Sequence, residues 1–261
     1  NRLNKLVNLS HARINFLEQL FKKNMIKYVL TTHVVFLNYG LIALVAKKFK
    51  SKIKIIFPIK NYSTIKTLSI DNKNLLQIEK YYEYKKEFKK IRNKKECLEQ
   101  SKNELNRRIF KNITNWKVSN VSAYSRDKIL KISGKRPKII ILPSCFFDAN
   151  QFFRHSLFVD VYEWLDFTLY HASKTNFDWY VKPHPTRFKM NIKIFKRFKE
   201  KYRNINFLEG DTSNLTFKKN KFSSMFTYQS AASHEFAFLK IPSIVAGDNI
   251  CANYNFAKPP K

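Results

Sequence analysis

Between Lys138 and Ala246, short apolar runs alternate with segments of helical period, and this rhythm constrains the fold more than any other feature. Lys138 to Leu142, Trp179 to Val181, Ile205 to Leu208, Ser223 to Thr227 and Ser243 to Ala246 read as strands. Leu157 to Ser173, about Asn191 to Tyr202, and Ala231 to Leu239 carry helical spacing between them. Buried strands separated by helices of these lengths make a doubly wound parallel sheet covered on both faces. The expected class is α/β. The breaker cluster Ser133-Gly134-Lys135-Arg136-Pro137 precedes the rhythm and marks the expected domain boundary. It divides the chain into an N-terminal half, 1–134, and a C-terminal half, 135–261.

The first half gives a weaker pattern. Ile14, Leu17, Leu20 and Phe21 follow helical spacing from Ser10 to Lys23, with Ser10 as the expected N-cap. Ile26 to Thr31, Tyr39 to Phe49 and Ile53 to Pro58 then read as strand, helix and strand, one βαβ unit. The stretch from Val29 to Ala46 is interrupted by Thr31, Thr32, His33 and Asn38, which argues against a membrane span of about 20 apolar residues. Leu75 to Ile113 has neither Gly nor Pro and is dense in charge, so one or two long amphipathic helices are expected between the halves.

The net charge of +31 draws the protein to polyanions: nucleic acid, anionic lipid headgroups or an acidic glycan. The lysines are spread along the whole chain and no RNA-recognition or zinc-finger pattern accompanies them, so nucleic acid is not the expected partner. A peripheral contact with an anionic inner-membrane surface fits the charge. Three widely spaced cysteines (Cys97, Cys145, Cys251) give neither a disulfide framework nor a zinc spacing, and a cytoplasmic protein is expected.

Three polar clusters follow strands, at the carboxyl ends where ligands bind in such sheets. Pro143 to Asn150 contains Asp148, a turn residue or a group facing a cleft. Lys182-Pro183-His184-Pro185 holds an imidazole between two prolines, which fix the backbone on either side of it. A histidine held that way suits contact with a phosphate or movement of a proton. Tyr228-Gln229-Ser230-Ala231-Ala232-Ser233-His234-Glu235 opens a helix: its small residues admit a phosphate, the Ser hydroxyls add donors, and Glu235 can accept from both ribose hydroxyls. The plainer reading makes Ser230 or Ser233 a cap and Glu235 a complement to the helix dipole. His184, His234 and Asp148 show no ligand spacing for a metal.

These stretches resemble the bacterial capsule polysaccharide biosynthesis family, which includes Kdo-transferring enzymes. The likeness rests on Ile139 to Leu165, on Val181 to Pro185, and on Ser230 to Glu235 continuing through Ile241 to Asp248 and Tyr254-Asn255-Phe256. Two departures stand out: Ser230-Ala231-Ala232-Ser233 where the family often has a Gly, and Lys240-Ile241-Pro242 where it often has Gly before the Pro.

The resemblance implies a GT-B-like fold with two Rossmann-like doubly wound halves, the donor in the C-terminal half and the acceptor on the N-terminal side. It implies a metal-independent glycosyltransferase with no cofactor beyond a nucleotide-sugar donor, for which a CMP-linked sugar is the candidate, and a lipid-linked or glycan acceptor. Lys182, His184, Ser230 and Ser233 would hold the donor phosphate, Glu235 the ribose, and Asp148 would face the reacting carbon, with Asp148 and His184 as the catalytic candidates. Replacing Glu235 by Ala would then abolish donor binding with the fold intact. A glycerophosphotransferase using a CDP-linked donor and a basic nucleic-acid-binding protein are the alternatives. The family continues into further helices where this sequence ends, so a C-terminal truncation is expected.

Overall fold

The first helix starts at the second residue, not at Ser10. The computed structural model describes residues 1–34, 36–59, 62–68, 84–111, 123–147, 157–185, 188–247, 254 and 257–258. In it α1 (Arg2–Asn24) is capped by Asn1, whose side chain accepts from the Leu3 amide at 3.1 Å. Ser10 lies inside the helix and donates its hydroxyl to the Leu6 carbonyl at 2.8 Å, the usual fate of a serine at such a position. β1 (Tyr28–Thr31), α2 (Phe36–Lys48) and β2 (Lys52–Ile59) form the expected βαβ unit, with Tyr28 opposite Lys52 and Thr31 opposite Ile55 in parallel register. An antiparallel strand then follows, β3 (Tyr62–Leu68), where a doubly wound half would continue with a further parallel step. Its sequence, Tyr-Ser-Thr-Ile-Lys-Thr-Leu, has no clean apolar face to reveal it. These elements make the first compact unit, residues 1–79.

The second unit, residues 80–261, begins inside the charged segment. Two helices are described there, α3 (Tyr84–Lys90) and α4 (Lys94–Phe110), separated by Ile91-Arg92-Asn93. Leu105 and Ile109 on α4 pack into a core with Tyr124, Ile129 and Ile132. The extended run after Tyr124 is fastened to residues 213–220: the Asn214 amide donates to the Ala123 carbonyl at 2.7 Å and the Ile132 amide to Asn220 Oδ1 at 2.8 Å. For this reason the division between units falls at Glu79/Lys80, far upstream of the breaker cluster at 133–137. The long helix belongs to the second unit.

The rest of that unit follows the rhythm of the sequence closely. In order come β4 (Lys138–Ile141), α5 (Val161–Ala172), β5 (Asp178–Val181), α6 (Lys189–Lys201), β6 (Asn206–Phe207), α7 (Leu215–Lys219), β7 (Ser224–Thr227), α8 (Ala232–Phe238), β8 (Ser243–Val245) and β9 (Ala257–Lys258). Every pairing in the sheet is parallel, and the spatial order is β6-β5-β4-β7-β8-β9. The chain winds outward from β4 to one edge and then from β7 to the other, which is the dinucleotide-fold order with its reversal between β4 and β7. Successive β4 side chains serve opposite faces. Ile139 and Ile141 join Trp164, Leu165, Leu169, Phe195 and Phe198 on one side. Ile140 and Leu142 join Leu215, Phe217, Phe236 and Ile109 on the other.

Helix ends follow from local chemistry. Asp160 caps α5 by accepting from the Glu163 amide at 2.8 Å, and the Glu163 side chain returns to the Val159 amide at 2.8 Å. This reciprocal box starts the helix later than the apolar spacing from Leu157 suggests. α8 closes in a Schellman turn: Ile241 N–H donates to Phe236 O at 2.8 Å and Lys240 N–H to Ala237 O at 2.9 Å. Lys240 occupies the left-handed position of that turn at φ 63°, a backbone conformation that favours Gly. Among the described residues no helix is long and apolar enough to cross a membrane.

Candidate functional site

Lys182 leaves the end of β5 and turns inward. Its amide donates to the Ile141 carbonyl at 3.0 Å, continuing the sheet one step beyond the strand. The side chain is 3% exposed, and Nζ donates to Asn214 Oδ1 at 2.8 Å. Burial pushes the ammonium down to about 8, against the opposing pull of the Glu235 and Asp211 charges. The group still carries its charge at neutral pH.

Pro183-His184-Pro185 then bends outward, and His184 is exposed. Beneath the bend lies Gly210, where a Cβ would stand 3.3 Å from the His184 carbonyl oxygen and 3.4 Å from that of Pro183. The proline-clamped turn therefore rests on a backbone with no side chain to hold it off.

Glu235, in the first turn of α8, is 3% exposed. Its Oε1 lies 2.6 Å from Arg108 Nε on α4, and its Oε2 accepts from the Tyr124 hydroxyl at 2.6 Å. Tyr124 is pushed well above the ordinary phenol value, first by burial and then by the Glu235 charge. Neighbouring His234 is pushed down by burial, with Glu235 opposing and Arg108 reinforcing that shift. Arg108, Tyr124, Lys182, Asn214 and Glu235 thus form one connected polar group on the α7–α8 face, at the carboxyl edge of the sheet.

The Ser230 loop follows β7. Ser230 Oγ accepts from the Ala232 amide at 3.1 Å, and Ser233 Oγ donates to the Ser230 carbonyl at 3.0 Å. Ser233 is fully buried, so its hydroxyl serves the turn itself. Ser230 is half-buried. Immediately before it, Gln229 is 8% exposed, yet neither Nε2 nor Oε1 of its amide has a partner among the described residues. Ser144 Oγ, in the loop after β4, donates to the Gln229 carbonyl, and Thr227 Oγ1 donates to Leu142 O at 2.7 Å. These bonds tie together the two loops that flank the reversal of strand order.

The structure therefore brings Lys182 and Glu235 into one electrostatic group, and it sets His184 and Ser230 on the same edge of the sheet at the ends of β5 and β7. Ser233 lies inside its turn. Asp148 lies outside the described residues. Among the described residues no group of three or more His, Cys, Asp or Glu side chains could hold a metal ion. Arg108, Tyr124 and Asn214 were not legible as site residues: each is far from Glu235 and Lys182 in sequence, and none sits in a motif. Gln229 was visible in its loop, but only the structure shows its amide to be buried and without a partner among the described residues.

No family model and no curated protein matches this chain by sequence. Solved structures do. A KpsC β-Kdo 2,4 transferase of Thermosulfurimonas dismutans superposes with TM-score 0.51 at 12% identity, covering 84% of this chain and 68% of its own. The β-Kdo 2,7 transferase of the same organism's KpsC gives TM-score 0.51 at 14% identity, covering 94% and 73%. The chain shares the fold of these two enzymes. At these identities the likeness is one of fold, and it lies with the kind of enzyme that the loops of the sequence resemble.

Proposed function

We propose that the protein is a glycosyltransferase of capsule or surface polysaccharide biosynthesis, of the GT-B class. It transfers a sugar, Kdo or a related acidic sugar, from a nucleotide-activated donor to a lipid-linked or glycan acceptor. The observation that carries the reading is the charged group at the carboxyl edge, where a buried Lys182 and a buried Glu235 meet in a fold shared with Kdo transferases. Ligands of open α/β sheets bind at this edge, beside the point where strand order reverses.

In the proposed reaction the acceptor hydroxyl attacks the anomeric carbon, the bond from that carbon to the donor phosphate breaks, and the nucleotide leaves with the electron pair. Lys182, desolvated but charged, stabilises the negative charge that develops on the phosphate. His184, exposed on a stiff turn, donates to the same phosphate, and Ser230 adds a hydroxyl. The Gln229 amide, buried without a partner among the described residues, supplies a donor and an acceptor to the bound donor. Both oxygens of Glu235 already have protein partners, so its part is to hold Arg108 and Tyr124 and to support the Lys182 charge. The proton of the acceptor hydroxyl goes to a base, for which Asp148 is retained.

The test is a donor screen. CMP-Kdo, CDP-glycerol, and UDP- and GDP-linked sugars are incubated with the protein and an acidic glycan acceptor, and products are read by mass spectrometry. The reading expects transfer from the CMP-linked sugar. Use of CDP-glycerol in its place establishes the glycerophosphotransferase alternative, and consumption of no donor overturns the assignment.

A further inference from the structure

Helix α1 carries an exposed stripe that its packing on α2 does not explain. Ile14, Leu17 and Phe21 face inward. A second line runs along the helix through Lys5, Leu9, Ala12, Phe16, Leu20 and Lys23, at spacings of three and four residues, and every member is exposed. Phe16 is 65% exposed. The line is apolar in its middle and cationic at both ends, the pattern of a helix lying in a membrane interface, where lysines reach back to the headgroups.

At the C-terminal end of α1 the surface becomes concave. A cavity of about 580 Å³ opens between the foot of α1 and the start of the sheet, walled by Phe21 and Phe49 and ringed by Lys22, Lys27, Lys50 and Lys52. Met25, at 84% exposure, stands at its mouth. Among the described residues no carboxylate lines it. From residue 1 to residue 56 the single acidic side chain is Glu18, and that one is engaged by Lys48 at 2.6 Å. The carbonyl ends of α1 and α2 also lie here and favour cations. They account for lysines in the last turns, but Lys27 and Lys52 stand at the starts of strands, beyond the reach of that explanation.

We propose that the first unit docks on an anionic lipid surface, with the Leu9–Phe16–Leu20 line entering the interface and the lysine-ringed cavity receiving phosphate headgroups. Charge complementarity selects the occupant. A nucleic acid would match the lysines but leave the leucines and Phe16 against water, whereas an anionic bilayer meets both. Because the site uses only unit 1, the proposal stands independently of the transfer chemistry.

The experiment is vesicle flotation of the intact chain at physiological salt, with phosphatidylcholine vesicles and with vesicles containing phosphatidylglycerol. The wild type is expected to float with the phosphatidylglycerol vesicles and to remain with the soluble fraction beside pure phosphatidylcholine. Phe16→Ser and the triple variant Lys22→Gln/Lys27→Gln/Lys52→Gln change only exposed side chains, and circular dichroism is used to check that they fold. Each is expected to lower partitioning by roughly tenfold or more. The proposal is overturned if the wild type does not float, or if it floats equally with both lipids. It is also overturned if the variants float like the wild type, or if sedimentation shows a dimer that Phe16→Ser dissociates. Tight RNA binding that Lys22→Gln/Lys27→Gln/Lys52→Gln abolishes, without vesicle binding, assigns the surface to nucleic acid and overturns it as well.

Discussion

Replacing Glu235 by Ala tests whether the charged group at the carboxyl edge is part of the fold. From the sequence, Glu235 is a ligand carboxylate and its removal leaves the protein intact. In the structure it binds Tyr124 and Arg108 at 2.6 Å each while 3% exposed. The bond from a buried hydroxyl to a carboxylate contributes about 1.5–3 kcal/mol. The Arg108 side chain is 41% exposed, so solvent screening limits its share to about 1 kcal/mol or less. The buried Lys182 ammonium also loses the charge that supports it. Together these place the cost of Glu235→Ala at about 3 kcal/mol, and that of Glu235→Gln, which keeps an acceptor for Tyr124, at roughly half as much. With a urea dependence of about 2 kcal/mol/M, the Ala variant unfolds about 1.5 M earlier in urea. Chemical denaturation followed by circular dichroism measures this. A Glu235→Ala protein within about 0.5 kcal/mol of wild type would refute the structural role and return Glu235 to a ligand-facing one.

Other outcomes follow from the same geometry. Because Lys182 is held near 8 in the folded state against 10.5 unfolded, the unfolded chain binds more protons between those values, and stability tied to this group rises with pH across that window. Lys182→Met removes the rise, so thermal melts at pH 7 and pH 9.5 lie closer together in the variant than in the wild type. Lys240→Gly relieves a left-handed residue in the turn after α8 and is expected to stabilise by about 1 kcal/mol, seen as a rise of about 2–4 °C in Tm. Gly210→Ala presses a methyl group on the His184 and Pro183 carbonyls, which the flanking prolines cannot easily move. A loss of about 1–2 kcal/mol is expected in the same urea assay.

The fold of the second unit was legible because its sheet is buried on both faces. Strands such as Ile139-Ile140-Ile141 must be apolar throughout, and their helices must carry a 3.6-residue stripe, so sequence and structure agree within a few residues for the strands β4 to β8 and for α5, α6 and α8. The five-residue α7 is too short to show a period and was not expected. The exceptions have local causes: Asn1 outcompetes Ser10 as a cap, and β3 has no apolar face to announce it. The unit division was hidden because one buried residue, Ile109, carries an otherwise charged helix into the second core. The loops of the site were legible as motifs, since proline pairs and small residues mark themselves in a sequence. The partners were not. Arg108 and Tyr124 reach Glu235 across more than a hundred residues of chain, and only folding brings them together. Lys240 fills a left-handed turn position that favours Gly, at some cost in strain, while the turn itself survives.

The central claim is that a nucleotide phosphate binds beside the His184 turn. Isothermal titration of CMP into the wild type and into His184→Ala tests it most directly, because His184 is exposed and its removal leaves the core untouched. The account predicts binding to the wild type and a loss of about tenfold or more in the variant, the worth of one charge-assisted hydrogen bond. Equal affinity in the two proteins, or no binding to either, would contradict it.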